Sequence, residues 1–79
     1  MSDQTLEHLS PGSLKPNPRN ARTHSKKQIK QIAESIRAFG FIAPVLIDEH
    51  SMILAGHGRV EAAKRVGLSS IPCRRVGSL

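Results

Sequence analysis

One short stretch of this 79-residue chain combines residue types that can hold an anion: Gly56-His57-Gly58-Arg59. It follows the apolar run Met52-Ile53-Leu54-Ala55 and precedes Val60-Glu61-Ala62-Ala63, so it reads as a strand-to-helix turn. The first turn of a helix leaves backbone N–H groups without intrahelical acceptors and carries partial positive charge. A phosphate placed there accepts those hydrogen bonds directly. Glycines at 56 and 58 remove the Cβ atoms that would block its approach. Arg59 can close a bidentate, charge-assisted contact on the same group. The chemistry is therefore the holding of a phosphate, from a nucleotide or from DNA. The stretch is neither a Walker A loop, since no Lys-Ser/Thr pair follows, nor G-x-G-x-x-G. Its spacing equally fits a plain corner with Arg59 solvated.

Chemistry on a held phosphate would need a base or a metal beside it. His57 in the turn and His24 in the upstream loop are the candidates, and each has a plainer reading as a solvated or hydrogen-bonding side chain. Two histidines without a nearby carboxylate make a poor metal site, so no metal ligands are assigned. Cys73 is the only cysteine, which excludes an internal disulfide and most zinc patterns, and it reads as a small buried apolar residue.

The elements that must position the turn follow from periodicity. Residues 1–8 are polar and expected to be flexible, with a short extended segment near His8–Leu14 interrupted by Pro11 and Gly12. Lys15 to His24, with Pro16 and Pro18, is an ordered loop. Ser25 and Gln28 form a capping-box pattern, and Ile29, Ile32, Ala33 and Ile36 share one helical face. A helix over Lys26–Phe39, closed by a left-handed Gly40, is the result. Pro44–Asp48 and Met52–Ala55 predict an antiparallel hairpin, continuously apolar and so covered over much of both faces. A second helix runs from Arg59 to Val66, and Ile71–Val76 is a last strand, placed at an edge because Pro72 lacks a ladder donor. Phe39 and Met52 are assigned to the core. The fold class is α+β: a small mixed sheet of about four short strands with two main helices.

One domain over residues 9–79 exhausts the chain, and a chain of this length buries only about 60% of its unfolded surface. Any ligand is expected on a shallow face or shared with a partner. No apolar run approaches a membrane span and the start lacks a secretory pattern, so a soluble, cytoplasmic protein is expected. Net charge is +6, and no acidic residue lies between Glu7 and Glu34. That interval carries Lys15, Arg19, Arg22, Lys26, Lys27 and Lys30. Such a surface either keeps a small domain soluble or attracts a polyanion, and Lys15, Arg19, Lys26, Lys27 and Lys30 are the candidate nucleic-acid surface.

Three motifs in order carry a resemblance over Leu14 to Val76: Leu14-Lys15-Pro16-Asn17-Pro18 with Arg22, then Gly40-Phe41-Ile42-Ala43-Pro44-Val45, then Ala55-Gly56-His57-Gly58-Arg59 with Ala62-Ala63. Together they resemble the N-terminal domain of ParB-type proteins, of the ParB/sulfiredoxin fold. The resemblance implies partition of chromosomes or plasmids, DNA as a partner, and binding of cytidine triphosphate. The family turn reads Gly-Glu-Arg-Arg, so Gly56 and Arg59 match, while His57 replaces glutamate and Gly58 the first arginine. In the upstream loop Asn17, Pro18 and Arg22 match, whereas Asn20 and Ala21 differ. Arg22, with Asn20 beside it, is taken as the upstream contributor to the phosphate site. The family's metal-binding Glu-Asn motif has no counterpart before Leu79, so phosphate binding carries over and metal-assisted hydrolysis does not.

Sulfiredoxin places a nucleophilic cysteine directly after glycine, where this chain has His57, so sulfinic-acid reduction is not expected. The Gly-His-Gly-Arg version most resembles ParB-like nuclease domains, including those attached to DNA methyltransferases in phages and bacteria. The sequence thus leaves open a phosphate- or nucleotide-binding module (with a nucleoside triphosphate and magnesium as possible ligands), a nuclease, or an electrostatic DNA-binding domain. Further domains of a longer protein, or a homodimer, complete the expected partners.

Overall fold

The computed structural model describes residues 6–18 and 25–77. Four strands and two helices follow one another: β1 (Leu6–Leu9), a 3-10 turn at Pro11–Ser13, α1 (Lys26–Phe39), β2 (Val45–Ile47), β3 (Ile53–Ala55), α2 (His57–Val66) and β4 (Ile71–Arg75). The strands form one mixed sheet in the order β1-β4-β2-β3. β1–β4 and β2–β3 are antiparallel, and β2–β4 is parallel.

α1 begins and ends where its sequence puts it. Ser25 Oγ accepts from the Gln28 N–H at 3.1 Å, and Gln28 Oε1 accepts from the Ser25 N–H at 3.3 Å. Gly40 closes the helix with φ +82° but an extended ψ of −177°, so the expected left-handed cap is not formed. The stripe of Ile29, Ile32, Ala33 and Ile36 is turned inward as expected, and α1 packs on α2. Phe39 departs from expectation: it is 74% exposed rather than core, because the last residue of the helix has nothing packed over it. Met52 is only half-buried.

The core is the sheet's inner face under α2. Val45, Ile47, Ile53, Ile71 and Cys73 meet Val60 and Ala63, with Leu14 from the segment after the 3-10 turn. Each fully buried side chain of this size contributes about 1.5–3 kcal/mol. Cys73 is the buried small apolar residue expected, and burial pushes its thiol pKa up. Strands 45–47 and 71–73 alternate buried and half-buried, and Leu54 is 37% exposed. The expectation of a sheet covered on both faces therefore fails; helices cover one face.

Two further expectations change. Leu6–Leu9 is paired to β4 rather than flexible, so order reaches back through residues assigned to a mobile terminus. β4 is an inner strand, not an edge. Pro72 is tolerated because it pairs only with His8 of β1 and precedes Cys73–Arg75, the stretch that also pairs with β2.

Arg75 ties one end of this sheet together. Its Nε and Nη2 donate to the two Glu7 carboxylate oxygens at 2.8 and 3.0 Å, and Nη1 donates to the Asp48 carbonyl at 2.7 Å. Asp48 Oδ1 in turn accepts from the His50 and Met52 amides, closing the β2–β3 turn. The Arg75 hydrogen bond holds the Glu7 carboxyl below its ordinary pKa, and the Met52 amide does the same for Asp48. β1, β4 and the hairpin turn are thus joined by one guanidinium.

Candidate functional site

The turn after β3 is built as an N-terminal helix mouth. Gly56 is the cap residue, with φ +105° and ψ 24°, a left-handed conformation that costs residues with a Cβ about 1–3 kcal/mol. α2 starts at His57, two residues earlier than the periodicity places it. The Val60 N–H makes the first intrahelical bond, to the Gly56 carbonyl at 3.0 Å. The amides before it point out of the helix mouth, as the geometry of any first turn requires. No acidic side chain lies in that turn.

Arg59 lies beside the cap glycine of this turn. A Cβ placed on Gly56 would meet Arg59 Nη1 at 3.3 Å and Val45 Cγ2 at 3.3 Å, so the guanidinium passes against the bare glycine. Its Nη1 donates to the Pro44 carbonyl at 3.4 Å, a long bond and its only one among the described residues. Arg59 is half-buried and has no carboxylate partner there. Gly58 is buried on the inner side of α2. Gly56 is thus the glycine that opens the turn, and Gly58 belongs to the packing.

The upstream loop comes to the same place. The Lys15 N–H donates to the Ser51 carbonyl at 2.9 Å and its carbonyl accepts from Ile53 N–H at 2.8 Å, a parallel bridge alongside the start of β3. The chain then delivers the buried Asn17, whose backbone N–H donates to His57 Nε2 at 3.5 Å. This bond requires an unprotonated Nε2. Sequence reasoning does not single out Asn17 as a site residue, although its place before Pro18 marks the turn. Arg19, Asn20, Arg22 and His24, four of the candidate residues, lie outside the described residues.

Lys15, Lys26, Lys27 and Lys30 are exposed. The last three occupy the first turns of α1, which holds no acidic residue in its first turn. Cations there oppose the helix dipole, so the cluster works against the helix that carries it.

No sequence pattern signals the open-sided cavity of about 140 Å³ between α1 and the segment after it. Ile32, Ile36, Phe41, Ile42 and Ser35 line it, and Arg59 is its one contribution from α2. The walls come from α1 and the segment that follows it, and the packing of α1 on α2 brings Arg59 to them. Among the described residues, no three His, Cys, Asp or Glu side chains gather to hold a metal, and no helix is long and apolar enough to cross a membrane.

Comparison with known proteins agrees with this architecture. The model of the ParB N-terminal domain matches residues 1–77. The ParB-like nuclease domain-containing protein YnaK of Escherichia coli K12 is 54% identical over 59 residues, covering 75% of this chain and 68% of that protein. The probable chromosome-partitioning protein ParB of Treponema pallidum is 39% identical over 74 residues, covering 87% of this chain and only 23% of its own length. Among solved structures, C-terminally truncated ParB from Caulobacter crescentus complexed with CTP-gamma-S superposes with a TM-score of 0.83 at 26% identity, over 95% of this chain and 46% of that one. The same protein complexed to the centromeric parS site gives 0.79 at 27% identity, over 90% and 40%. Sulfiredoxin from Arabidopsis thaliana shares the fold, with a TM-score of 0.80 at 21% identity over 94% and 86%. The match runs through almost every residue of the sheet, both helices and the turn between β3 and α2, and on that ground the chain belongs to the ParB N-terminal domain family.

Proposed function

We propose that this ParB-like domain holds the phosphates of a nucleoside triphosphate at the Gly56–Arg59 turn and meets DNA through Lys15, Lys26, Lys27 and Lys30. The observation that carries the reading is Arg59: a guanidinium against the left-handed glycine that caps α2, with no carboxylate to neutralise it among the described residues. Backbone amides and a fixed cation that converge on one point are suited to a phosphate. The CTP-gamma-S complex of the similar Caulobacter protein supports a nucleotide as the source of that phosphate, and its parS complex supports DNA as a partner. Arg22, Asn20 and Arg19 add to this surface in the proposal, and magnesium would accompany the triphosphate.

A thermal-shift screen of the four ribonucleoside triphosphates, with and without magnesium, tests it. A ligand bound only by the native state raises the melting temperature by mass action. No shift with any of the four removes the nucleotide from the reading. For DNA, each lysine that meets a phosphate steepens the salt dependence. Replacing Lys26, Lys27 and Lys30 with glutamine should therefore flatten the slope of log K against log salt by about 0.9 for each phosphate left without its lysine.

A second reading, a DNA nuclease, is favoured by the name of the relative YnaK and by His57 within the phosphate turn. In it Arg59 stabilises the charge that builds on the phosphoryl oxygens and His57 acts as the base, after giving up its contact with Asn17. Incubation of the purified chain with single- and double-stranded DNA across several divalent metals decides it, and uncut DNA in every condition ends this second reading.

A further inference from the structure

Helices cover one face of the sheet, and the face they leave bare is apolar. Alternation along the strands sends Val45, Ile47, Ile53, Ile71 and Cys73 into the core and their neighbours to the opposite side. Residues opposite one another in register share a face, so Leu6 of β1, Arg74 of β4 and Leu46 of β2 form one row across three strands. Leu54 of β3 continues the row. Val76 stands two residues beyond Arg74, held to the ladder by its N–H on the Ile47 carbonyl at 2.8 Å. Leu6, Leu54 and Val76 are 47%, 37% and 38% exposed, three of the five exposed large apolar side chains among the described residues. Scattered singly they would be ordinary. Gathered on one bare face they mark an interaction surface, and a sheet with an apolar face uncovered lacks a layer.

Size and charge select what completes it. Four strands spaced ~4.8 Å apart make a face roughly 15–19 Å across, the length of about 10–13 residues of helix. The charged or titratable strand residues on this face are His8 and Arg74, and none of them is a carboxylate. Asp48, the next residue after β2, keeps its Oδ1 on the His50 and Met52 amides. A second copy would bring +6 against +6 and set one Arg74 towards another. We propose that the bare face is a docking site for an acidic amphipathic helix of a partner protein, laid across the four strands. Its leucine-type residues rest on Leu6, Leu46 and Leu54, and its carboxylates flank that stripe towards His8 and Arg74. Affinity then comes from the apolar row and selectivity from charge. The core and α2 lie on the other side of the sheet, so docking here leaves the Gly56–Arg59 turn open to its own ligand.

The test uses the full chain, labelled with nitrogen-15, and a capped 14-residue alanine-rich helical peptide. Its leucines stand at i, i+4, i+7 and i+11, and glutamates flank them. One control peptide carries glutamine for every leucine, and a second carries lysine for every glutamate. The acidic leucine peptide should shift the amides of Leu6, Leu46, Leu54, Arg74 and Val76, and leave residues 56–59 unmoved. Either control should bind at least tenfold more weakly. Leu6→Ser and Leu54→Ser, each at an exposed position, should each weaken binding by about tenfold with the core amides of Val45, Ile71 and Cys73 in place. Equal binding of the leucine-free peptide, or shifts spread over Lys26, Lys27 and Lys30, would show general charge attraction and overturn the docking site. So would an absence of shifts on the bare face. Light scattering of the chain alone checks the other occupant: a dimer that Leu6→Ser dissolves would give this face to a second copy and end the proposal.

Discussion

Two arginines divide this small domain between them. Arg75 is saturated: a bidentate carboxylate, a backbone carbonyl and the Ser51 hydroxyl at 3.4–3.5 Å surround it, and all of them belong to the fold. Arg59 makes one long bond to a carbonyl and passes against the glycine that caps α2. Both are half-buried, so exposure does not tell them apart. Partners do. A guanidinium whose donors are spent inside the chain is a structural tie, while one positioned but unspent is held ready for something from outside.

Exchanging their losses is the sharpest way to break that contrast. Arg59→Ala should cost about 10- to 100-fold in triphosphate affinity by calorimetry, the value of charge-assisted hydrogen bonds, with little change in melting temperature. Arg75→Ala should do the reverse, leaving affinity unchanged and lowering the melting temperature clearly. If Arg75→Ala weakens binding as much as Arg59→Ala, the division between the two is false.

Gly56→Ala sharpens the contrast from the backbone side. It should destabilise the domain by about 1–3 kcal/mol in urea unfolding, through its positive φ, and also dislodge Arg59 and weaken triphosphate binding. Gly67→Ala, at φ +86° in open space after α2, should cost only the backbone term, about 1–2 kcal/mol, and leave binding alone.

The smallest effect is one of pH. Glu7 and Asp48 have folded pKa values below their ordinary 4.5 and 3.8. A depressed carboxylate pKa contributes stability that is complete above the unfolded value and is lost as pH falls through the folded one. Melting temperature should therefore decline below about pH 4.5. Arg75→Ala should remove the Glu7 part of that decline and keep most of the Asp48 part, whose main cause is the Met52 amide. An unchanged acid profile in Arg75→Ala would disconnect Glu7 from Arg75.

What the sequence displays and what it hides follow from the range of the interactions. The limits of α1 were legible because Ser25, Gln28 and Gly40 act within a turn of the residues they cap. The strand-to-helix turn at Gly56–Arg59 was legible for the same reason, although α2 begins two residues earlier than its periodicity shows. Strand order was not. Pro72 reads locally as an edge signal, and only the pairing of β1 on one side and β2 on the other makes β4 an inner strand. The Phe39 assignment failed because a helical stripe shows which way a side chain faces, not whether anything is there to meet it. The Asn17–His57 contact joins residues 40 apart in sequence, and no local pattern announces it.

Pro72 has a consequence at the far end of the same ladder. Continuing the β2–β4 register one step beyond Val45 and Cys73 would set Pro44 opposite Pro72, two imide nitrogens with no hydrogen between them to share. The parallel pairing stops at that point, and the Pro44 carbonyl just outside it is the acceptor Arg59 reaches. A zipper that could close no further thus leaves a loose tooth, and the side chain at the helix mouth is moored to it.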